Sequence, residues 1–374
     1  MNRPKVAIGI SGGVDSAVTA LLLKQEGFEV VGVHLYCWPP KSEYEKEGIS
    51  REEWIKKNGC RADEDRQMAL KTALELEIPF KVLDFSEEYN QKVIQYFYDE
   101  YEAGRTPNPD VMCNSEIKFG LFLKWAMENG FDYIATGHYA KLQRSQESEE
   151  VRLFIPSDKH KDQTYFLWKL TQKELKHTLF PLGEFSKEEV RKMAKEANLT
   201  VANRKDSQGI CFVGNVEARE FLARRLKVKK GVVENTKGEE IGSHDGVWFY
   251  TIGQRGGWVI DPKVQKQYQE TEETPVFYVI EKMAAENKLV VGLAEEAEKS
   301  FFKVMDLNWI TKVDLREKLK VRIRHGGELV DCQVVTETNG LLVKIEKALR
   351  GVASGQSAVF YDQKGECLGG GIIA

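Results

Sequence analysis

Short apolar runs alternate with helical periodicity through the first half of the chain. Val6, Ala7, Ile8, Gly9 and Ile10 read as a buried strand; Ala17, Val18, Leu21 and Leu22 then recur at helical spacing and stop at Gly27, a residue suited to a C-cap. The same reading predicts strands over 30–35, 79–83 and 133–136, with helices over 65–76, up to Gly104, and over 115–129. Such alternation specifies an α/β fold, a doubly wound and mainly parallel sheet with helices on both faces. Residues 38–58 interrupt it as a polar, charged stretch that reads as an insertion or mobile loop, and 143–151 read as a solvent-exposed hairpin tip.

Beyond residue 215 the pattern changes. Gly, Thr and Val become frequent, and short β-prone runs are punctuated by turn signals at Lys237-Gly238, Asp245-Gly246, Asn339-Gly340 and Lys364-Gly365. From 276 onward nearly every segment fits an antiparallel strand, as in a β-barrel or sandwich. At 374 residues the chain exceeds one ordinary core, and these shifts divide it into 1–215, a small central domain over 216–275 and a β-barrel domain over 276–374.

Composition narrows the class without choosing a function. Hydrophobic content of 42% with 30% charged residues belongs to a globular protein. No apolar run approaches the roughly 20 residues of a membrane-spanning helix, and the N-terminal residues lack a signal-peptide core, so no membrane partner and a cytoplasmic location are expected. A net charge of −4 does not advertise a polyanion partner. The stretches 219–230 and 318–325 are nevertheless locally basic, either as solvated faces or as binding surfaces. The six cysteines (Cys37, Cys60, Cys113, Cys211, Cys332 and Cys367) contain no CxxC pair, so no protein-held metal and no disulfide framework are expected.

Ser11-Gly12-Gly13-Val14-Asp15-Ser16 follows the first strand directly and precedes a helix. Two glycines allow a tight turn that presents N–H groups to an anion, the serines add donors, and the helix N-terminus adds its positive end. The loop lacks the lysine of a Walker A sequence, which argues against a kinase or GTPase. It resembles the PP-loop of the ATP pyrophosphatase superfamily, whose members cleave ATP between the α and β phosphates and adenylate a carbonyl oxygen.

Asn108-Pro109-Asp110-Val111-Met112-Cys113-Asn114 reads as a loop leading into the helix expected from Ser115. A cysteine near a helix N-terminus feels the positive dipole, which favours thiolate, and Asp110 lies close enough in sequence for proton transfer. In Asp206-Ser207-Gln208-Gly209-Ile210-Cys211-Phe212-Val213-Gly214, glycines bracket a cysteine, which suits a group that swings sulfur toward a partner thiol; a cysteine filling an apolar gap is the competing reading. His138, in Ala135-Thr136-Gly137-His138-Tyr139-Ala140, is placed to meet phosphate or nucleic acid, or is a satisfied structural histidine. Further motifs are Lys161-Asp162-Gln163-Thr164-Tyr165-Phe166-Leu167, Tyr250-Thr251-Ile252-Gly253-Gln254-Arg255 and Gly355-Gln356-Ser357-Ala358-Val359-Phe360-Tyr361.

In their order along the chain, SGGVDS, NPDVMCN, ATGHYA, KDQTYFL, DSQGICFVG, YTIGQR and SGQSAVFYD resemble the bacterial-type tRNA-specific 2-thiouridylase family over almost the whole sequence. The resemblance implies a PP-loop domain of the adenine nucleotide alpha hydrolase-like type, a small central domain and a C-terminal antiparallel β-barrel. It implies ATP-dependent 2-thiolation of the wobble uridine of tRNA. By motif, Gly9, Ile10, Ser11, Gly12, Gly13, Val14, Asp15, Ser16, Leu35 and Gly137 would bind ATP, with Mg²⁺ accompanying the phosphates. Asn108, Pro109 and Asp110 would contact the target base, with Asp110 as acid or base; Cys113 would be the nucleophile and Cys211 the persulfide carrier. His138, Lys161, Asp162, Gln163, Arg324, His325 and Gln356 would touch tRNA. The acceptors implied are lysine, glutamate and glutamine tRNAs, and the sulfur donor a cysteine desulfurase or sulfur-relay protein. The chain departs from the family's habit at Gly256-Gly257-Trp258-Val259, at Leu35 where methionine is common, and at His325 where tyrosine is common.

In the family's scheme each part has a reason. The C2 carbonyl of uracil is a poor electrophile because its oxygen leaves badly. Adenylation of that oxygen releases pyrophosphate and makes AMP the leaving group. A persulfide on Cys211 then delivers sulfur to C2, and Cys113 completes the exchange by forming a disulfide with Cys211 or by releasing sulfide. The alternative is a PP-loop amidotransferase or ligase that adenylates a small molecule, which would leave both cysteines idle. A nucleic-acid-binding protein that only senses nucleotide is a third reading, and it would be indifferent to Cys113→Ser or Cys211→Ser.

Overall fold

Side-chain alternation along the first strand separates two cores. In β1 (Lys5–Gly9), Val6 and Ile8 join the cluster that holds Val14, Ala17 and Val18 of α1 (Val14–Gln25), whereas Ala7 joins the cluster on the opposite face. The structure, a computed structural model, describes residues 3–58, 60–145, 149–205, 218–269 and 276–374. Strands β2 (Glu29–Tyr36), β3 (Phe80–Asp84) and β4 (Tyr133–Ala135) follow, then the hairpin of β5 (Lys141–Arg144) and β6 (Val151–Phe154), then β7 (Thr178–Leu179). Five of these form a parallel sheet in the order β3-β2-β1-β4-β7, as the doubly wound expectation requires. The strand order reverses between β1 and β4, so a crevice opens at their carboxyl ends, where ligands bind in such sheets.

Two helical expectations change. The stretch read as a loop over 38–58 contains α2 (Lys41–Glu45) and α3 (Arg51–Asn58). Trp38 and Trp54, each 2% exposed, meet edge to face at 5.9 Å, and the remaining polar residues cover the outside. After α4 (Ala62–Glu75), α5 (Ser86–Tyr89) runs through a π-helical turn, Asn90–Ile94, into α6 (Gln95–Glu102). The next helix starts at Pro109 rather than near Ser115: α7 (Pro109–Met112) continues as a π-helical stretch, Cys113–Phe122, into α8 (Leu123–Glu128). Asn108 caps it, its side chain accepting from the Val111 N–H at 3.3 Å with Pro109 in the first turn.

The later helices are α9 (Gln172–Lys176), α10 (Lys187–Glu196), α11 (Ala218–Ala223) and α12 (Pro262–Gln269). A central sheet of β8 (Gly231–Asn235), β9 (Glu240–His244), β10 (Val259–Ile260), β11 (Tyr278–Met283) and β12 (Lys288–Gly292) has the order β10-β9-β8-β12-β11. β13 (Glu298–Trp309), β14 (Leu319–Arg322), β15 (Val330–Glu337), β16 (Gly340–Arg350), β17 (Ser357–Tyr361) and β18 (Cys367–Ile373) close an antiparallel barrel around Val304, Val321, Val343 and Phe360. The barrel therefore begins at Glu298, not 276, because β11 and β12 pair with the central sheet; alternation identifies a strand but not its partner. The barrel docks on the first domain through Trp168, fully buried, whose Nε1–H donates to Ser357 Oγ at 2.9 Å and whose carbonyl accepts from Asn308 Nδ2 at 2.8 Å.

Candidate functional site

The loop between β1 and α1 lies at the strand-order reversal. Ser11 N–H donates to Ser16 Oγ at 3.1 Å, Ser16 Oγ reaches the Gly13 carbonyl at 3.1 Å, and the two serine hydroxyls are 3.2 Å apart, so the turn is tied to itself. Gly12 has φ +81°, and a Cβ there would stand 2.5 Å from the Asp65 carbonyl oxygen; both facts require glycine. Gly137, just beyond β4, packs so closely on α1 that a Cβ would lie 2.8 Å from the Ser16 nitrogen. Thus the ends of β1 and β4 flank one helix N-terminus. Buried His34 holds the Ile10 carbonyl through Nδ1 at 3.0 Å, and burial lowers its pKa below the usual imidazole value; its neighbour Leu35 sits in the core.

Three charged groups outside the loop complete it, and the sequence reading assigned none of them. Lys187 Nζ lies 2.7 and 2.8 Å from the two Asp15 carboxylate oxygens, and the Tyr139 hydroxyl donates to Asp15 at 2.8 Å. Arg204 donates to the Gly12 carbonyl and pairs with Asp65. Lys187 and Arg204 stand 172 and 192 residues from their loop partners, so local spacing carries no signal of them. Among the described residues no group of three or more His, Cys, Asp or Glu side chains is arranged to hold a metal ion.

Cys113 is 1% exposed and opens the π-helical stretch, a distortion frequent at functional positions. Asp110, one turn before it, is partly exposed. Asn114 donates through Nδ2 to the Phe166 carbonyl at 3.1 Å, while its buried Oδ1 has no hydrogen-bond partner among the described residues. Cys211, with the rest of 206–217, lies outside the described residues.

The residues expected to touch RNA divide into two groups. Asp162 is 3% exposed, bonded to Thr164 and paired with Arg322 of the barrel, and His138 is buried between Phe119 and Phe180 with Nδ1 2.7 Å from Thr136 Oγ1. Burial holds the His138 pKa well below the usual imidazole range. Both side chains make internal contacts in this structure. Arg324 and His325 are exposed, the latter with its ring 4.5 Å from that of Phe166, and Lys161 is partly exposed. Gln163 accepts from the Tyr139 N–H at 2.9 Å, and Gln356 donates to the Thr106 and Pro107 carbonyls. Tyr165, whose hydroxyl lies 3.0 Å from the Ser357 carbonyl oxygen and 3.3 Å from Gln356 Oε1, joins that junction and was not singled out from sequence.

The basic stretches are less available than their composition suggests. Arg219 pairs with Asp245, Arg224 lies over Trp54, and Arg225 donates to Gln95. Lys318 and Lys320 pair with Asp331, and Arg322 with Asp162. Lys227, Lys229, Lys230 and Arg324 are exposed and have no ion pair among the described residues.

Comparison with known proteins covers the same three regions. The family described as tRNA methyl transferase HUP domain matches residues 4–215, a tRNA methyl transferase PRC-barrel domain matches 219–293, and an aminomethyltransferase beta-barrel domain matches 299–373. The tRNA-specific 2-thiouridylase MnmA of Streptococcus thermophilus (strain CNRZ 1066) is 39% identical over 100% of this chain and 95% of its own length. Proteins of the same name from Lactococcus lactis subsp. lactis (strain IL1403) and Bacillus cytotoxicus are 41% and 40% identical over 99% and 100% of this chain, and 95% of each of theirs. Among solved structures, a 4-thiouridine synthetase–RNA complex with bound ATP aligns over 57% of this chain and 46% of that one at 18% identity and a TM-score of 0.35, a likeness too distant to bear on the site.

Proposed function

The chain belongs to the tRNA-specific 2-thiouridylase family, and from that premise we propose how its residues carry out ATP-dependent 2-thiolation of the tRNA wobble uridine. One observation carries the reading: relatives of that name match it at 39 to 41% identity over 99 to 100% of its residues. The small-molecule ligase alternative gains nothing from these relatives, which bear the thiouridylase name.

Gly9 to Ser16 cradle the nucleotide phosphates, with Leu35 and Gly137 beside the adenosine. The closed serine network and the α1 N-terminus are suited to anionic oxygens. Mg²⁺ arriving with the nucleotide would neutralise part of the phosphate charge. Asn108, Pro109 and Asp110 meet the target base, and Asp110 takes the N3 proton as the uracil O2 attacks the α phosphorus; pyrophosphate departs with the electron pair of the broken bond.

The terminal sulfur of a Cys211 persulfide then attacks C2, and AMP leaves. Cys113 thiolate attacks Cys211 Sγ, forming a Cys113–Cys211 disulfide and leaving the sulfur on uracil. A dithiol reductant must restore both cysteines before the next cycle. Burial of Cys113, one turn into the helix that Asn108 caps, keeps its thiol from bulk oxidants and near the base-facing Asn108–Asp110 turn.

Residues 1–215 perform the chemistry, and the central sheet and barrel grip the RNA, with Lys161, Gln163, Lys227, Lys229, Lys230, Arg324, His325 and Gln356 on the contacting side. Acceptors are the lysine, glutamate and glutamine tRNAs, and a cysteine desulfurase or sulfur-relay protein supplies the persulfide. No helix among the described residues is long and apolar enough to cross a membrane. The test is to incubate the protein with unmodified lysine tRNA, ATP, Mg²⁺ and a persulfide donor. Formation of 2-thiouridine with release of pyrophosphate supports the reading, and neither product from any of the three tRNAs overturns it.

A further inference from the structure

The phosphate loop contains no lysine, yet two cations reach it from one distant unit. Ser186 caps α10, and Lys187, the first residue of that helix, extends to Asp15 with 12% of its side chain exposed. One turn later Arg191 donates to the carbonyls of Ala202 and Arg204 at 3.1 and 3.0 Å, fixing the backbone from which Arg204 reaches Gly12 and Asp65. Val190 and Ala194 of the same helix share a core with Val14, Ala17 and Val18 of α1. A single packed helix therefore registers both cations against the loop, and Asp15 and Asp65 hold them there.

We propose that Lys187 and Arg204 bind the pyrophosphate end of ATP and stabilise pyrophosphate as it leaves. The proposal rests on the adenylation reading above and names the groups that serve its leaving step. As uracil O2 forms a bond to the α phosphorus, the bond from that phosphorus to the bridging oxygen breaks. Its electron pair departs on pyrophosphate, while the N3 proton passes to a base. Negative charge thus grows on the departing oxygens, and fixed cations beside them lower the barrier because they need no reorganisation at that moment. Arg204, whose Nη1 and Nη2 each engage the loop or Asp65, keeps further N–H groups of its guanidinium for phosphate oxygens, and Lys187 supplies a compact point charge, the role a Walker A lysine fills elsewhere. Arg204 also precedes Cys211 by seven positions (211 − 204), so nucleotide binding and the thiol-bearing segment share one stretch of chain.

The experiment measures pyrophosphate release from ATP with unmodified lysine tRNA for the wild type, Lys187→Met, Arg204→Gln and Arg204→Lys. Inhibition by added pyrophosphate and by AMP is measured alongside. Each charge-removing variant should release pyrophosphate about 100-fold more slowly. Inhibition by pyrophosphate should weaken, inhibition by AMP, which lacks the β and γ phosphates, should be retained, and Arg204→Lys should recover part of the rate. Wild-type rates and wild-type pyrophosphate inhibition in both charge-removing variants would overturn the proposal. Equal loss of AMP and pyrophosphate inhibition would overturn it too, since it would mark the two residues as supports of the loop. Absence of pyrophosphate release in the wild type would instead overturn the adenylation reading on which the proposal rests.

Discussion

Gln356 Nε2 donates to the carbonyl oxygens of Thr106 and Pro107 at 3.2 and 3.1 Å, so the barrel holds the two residues that lead into the Asn108 cap. Thr106 returns a bond, its N–H donating to the Ser354 carbonyl at 2.8 Å. The turn that leads into Asn108 is thereby held by two domains. Gln356→Ala removes these two hydrogen bonds, about 1 kcal/mol each, and also the Oε1 acceptor of the Tyr165 hydroxyl. The expected result is a modest fall in unfolding free energy but a larger fall in kcat for thiolation. Unchanged kcat at saturating tRNA would contradict the assignment.

Asn108 caps α7, and the proposed reading gives its amide a second task at the base. Asn108→Asp keeps a good cap and loses the amide donor, whereas Asn108→Ala loses both, with a stability cost of about 1 kcal/mol. Thermal unfolding should therefore separate the two variants while thiolation is lost in both. If Asn108→Asp stays fully active, the side-chain amide has no role at the base.

The buried pair of Asp162 and Arg322 gives the clearest stability prediction. Asp162→Asn leaves a buried guanidinium without its counter-ion and should cost about 3–5 kcal/mol. Asp162→Asn combined with Arg322→Met should recover most of that loss in denaturant unfolding, because the uncompensated charge is removed as well. Equal destabilisation of the single and double variants would show that the pair's geometry, not its charge, matters.

Lys282 Nζ lies against the Tyr250 carbonyl at 2.6 Å and over the Tyr101 ring, and burial pushes its pKa from 10.5 down to about 8. Between those two values the unfolded chain binds a proton that the folded chain has released. Wild-type stability therefore gains relative to Lys282→Met as pH rises through this window. Melting temperatures of the two proteins at pH 7 and pH 10 test the sign; a difference independent of pH would contradict it.

For RNA binding, Lys227, Lys229 and Lys230 carry the accessible charge of the first basic stretch. Replacing all three with alanine should reduce the slope of log affinity against log salt by about 3. An unchanged slope would move the RNA to another face.

Much of this was legible in the sequence because its signals are local. SGGVDS marked a glycine turn between a strand and a helix, as β1 and α1 flank it, and Asn108-Pro109 carried a cap and first-turn signature, although the helix was expected six residues late (115 − 109). Long-range pairing was not legible. Nothing near Ser11–Ser16 announces Lys187 or Arg204, and the KDQ string does not reveal that Asp162 faces Arg322. The tryptophans of 38–58 were visible, but their burial depends on partners such as Phe221, which meets Trp38 edge to face at 5.8 Å.

The most direct test of the account compares 2-thiouridine formation and pyrophosphate release by the wild type, Cys113→Ser and Cys211→Ser on unmodified lysine tRNA with a persulfide donor. The account predicts that the wild type forms both products, and that both variants lose 2-thiouridine while still releasing pyrophosphate. Full 2-thiouridine formation by either variant would contradict the two-cysteine transfer at its centre.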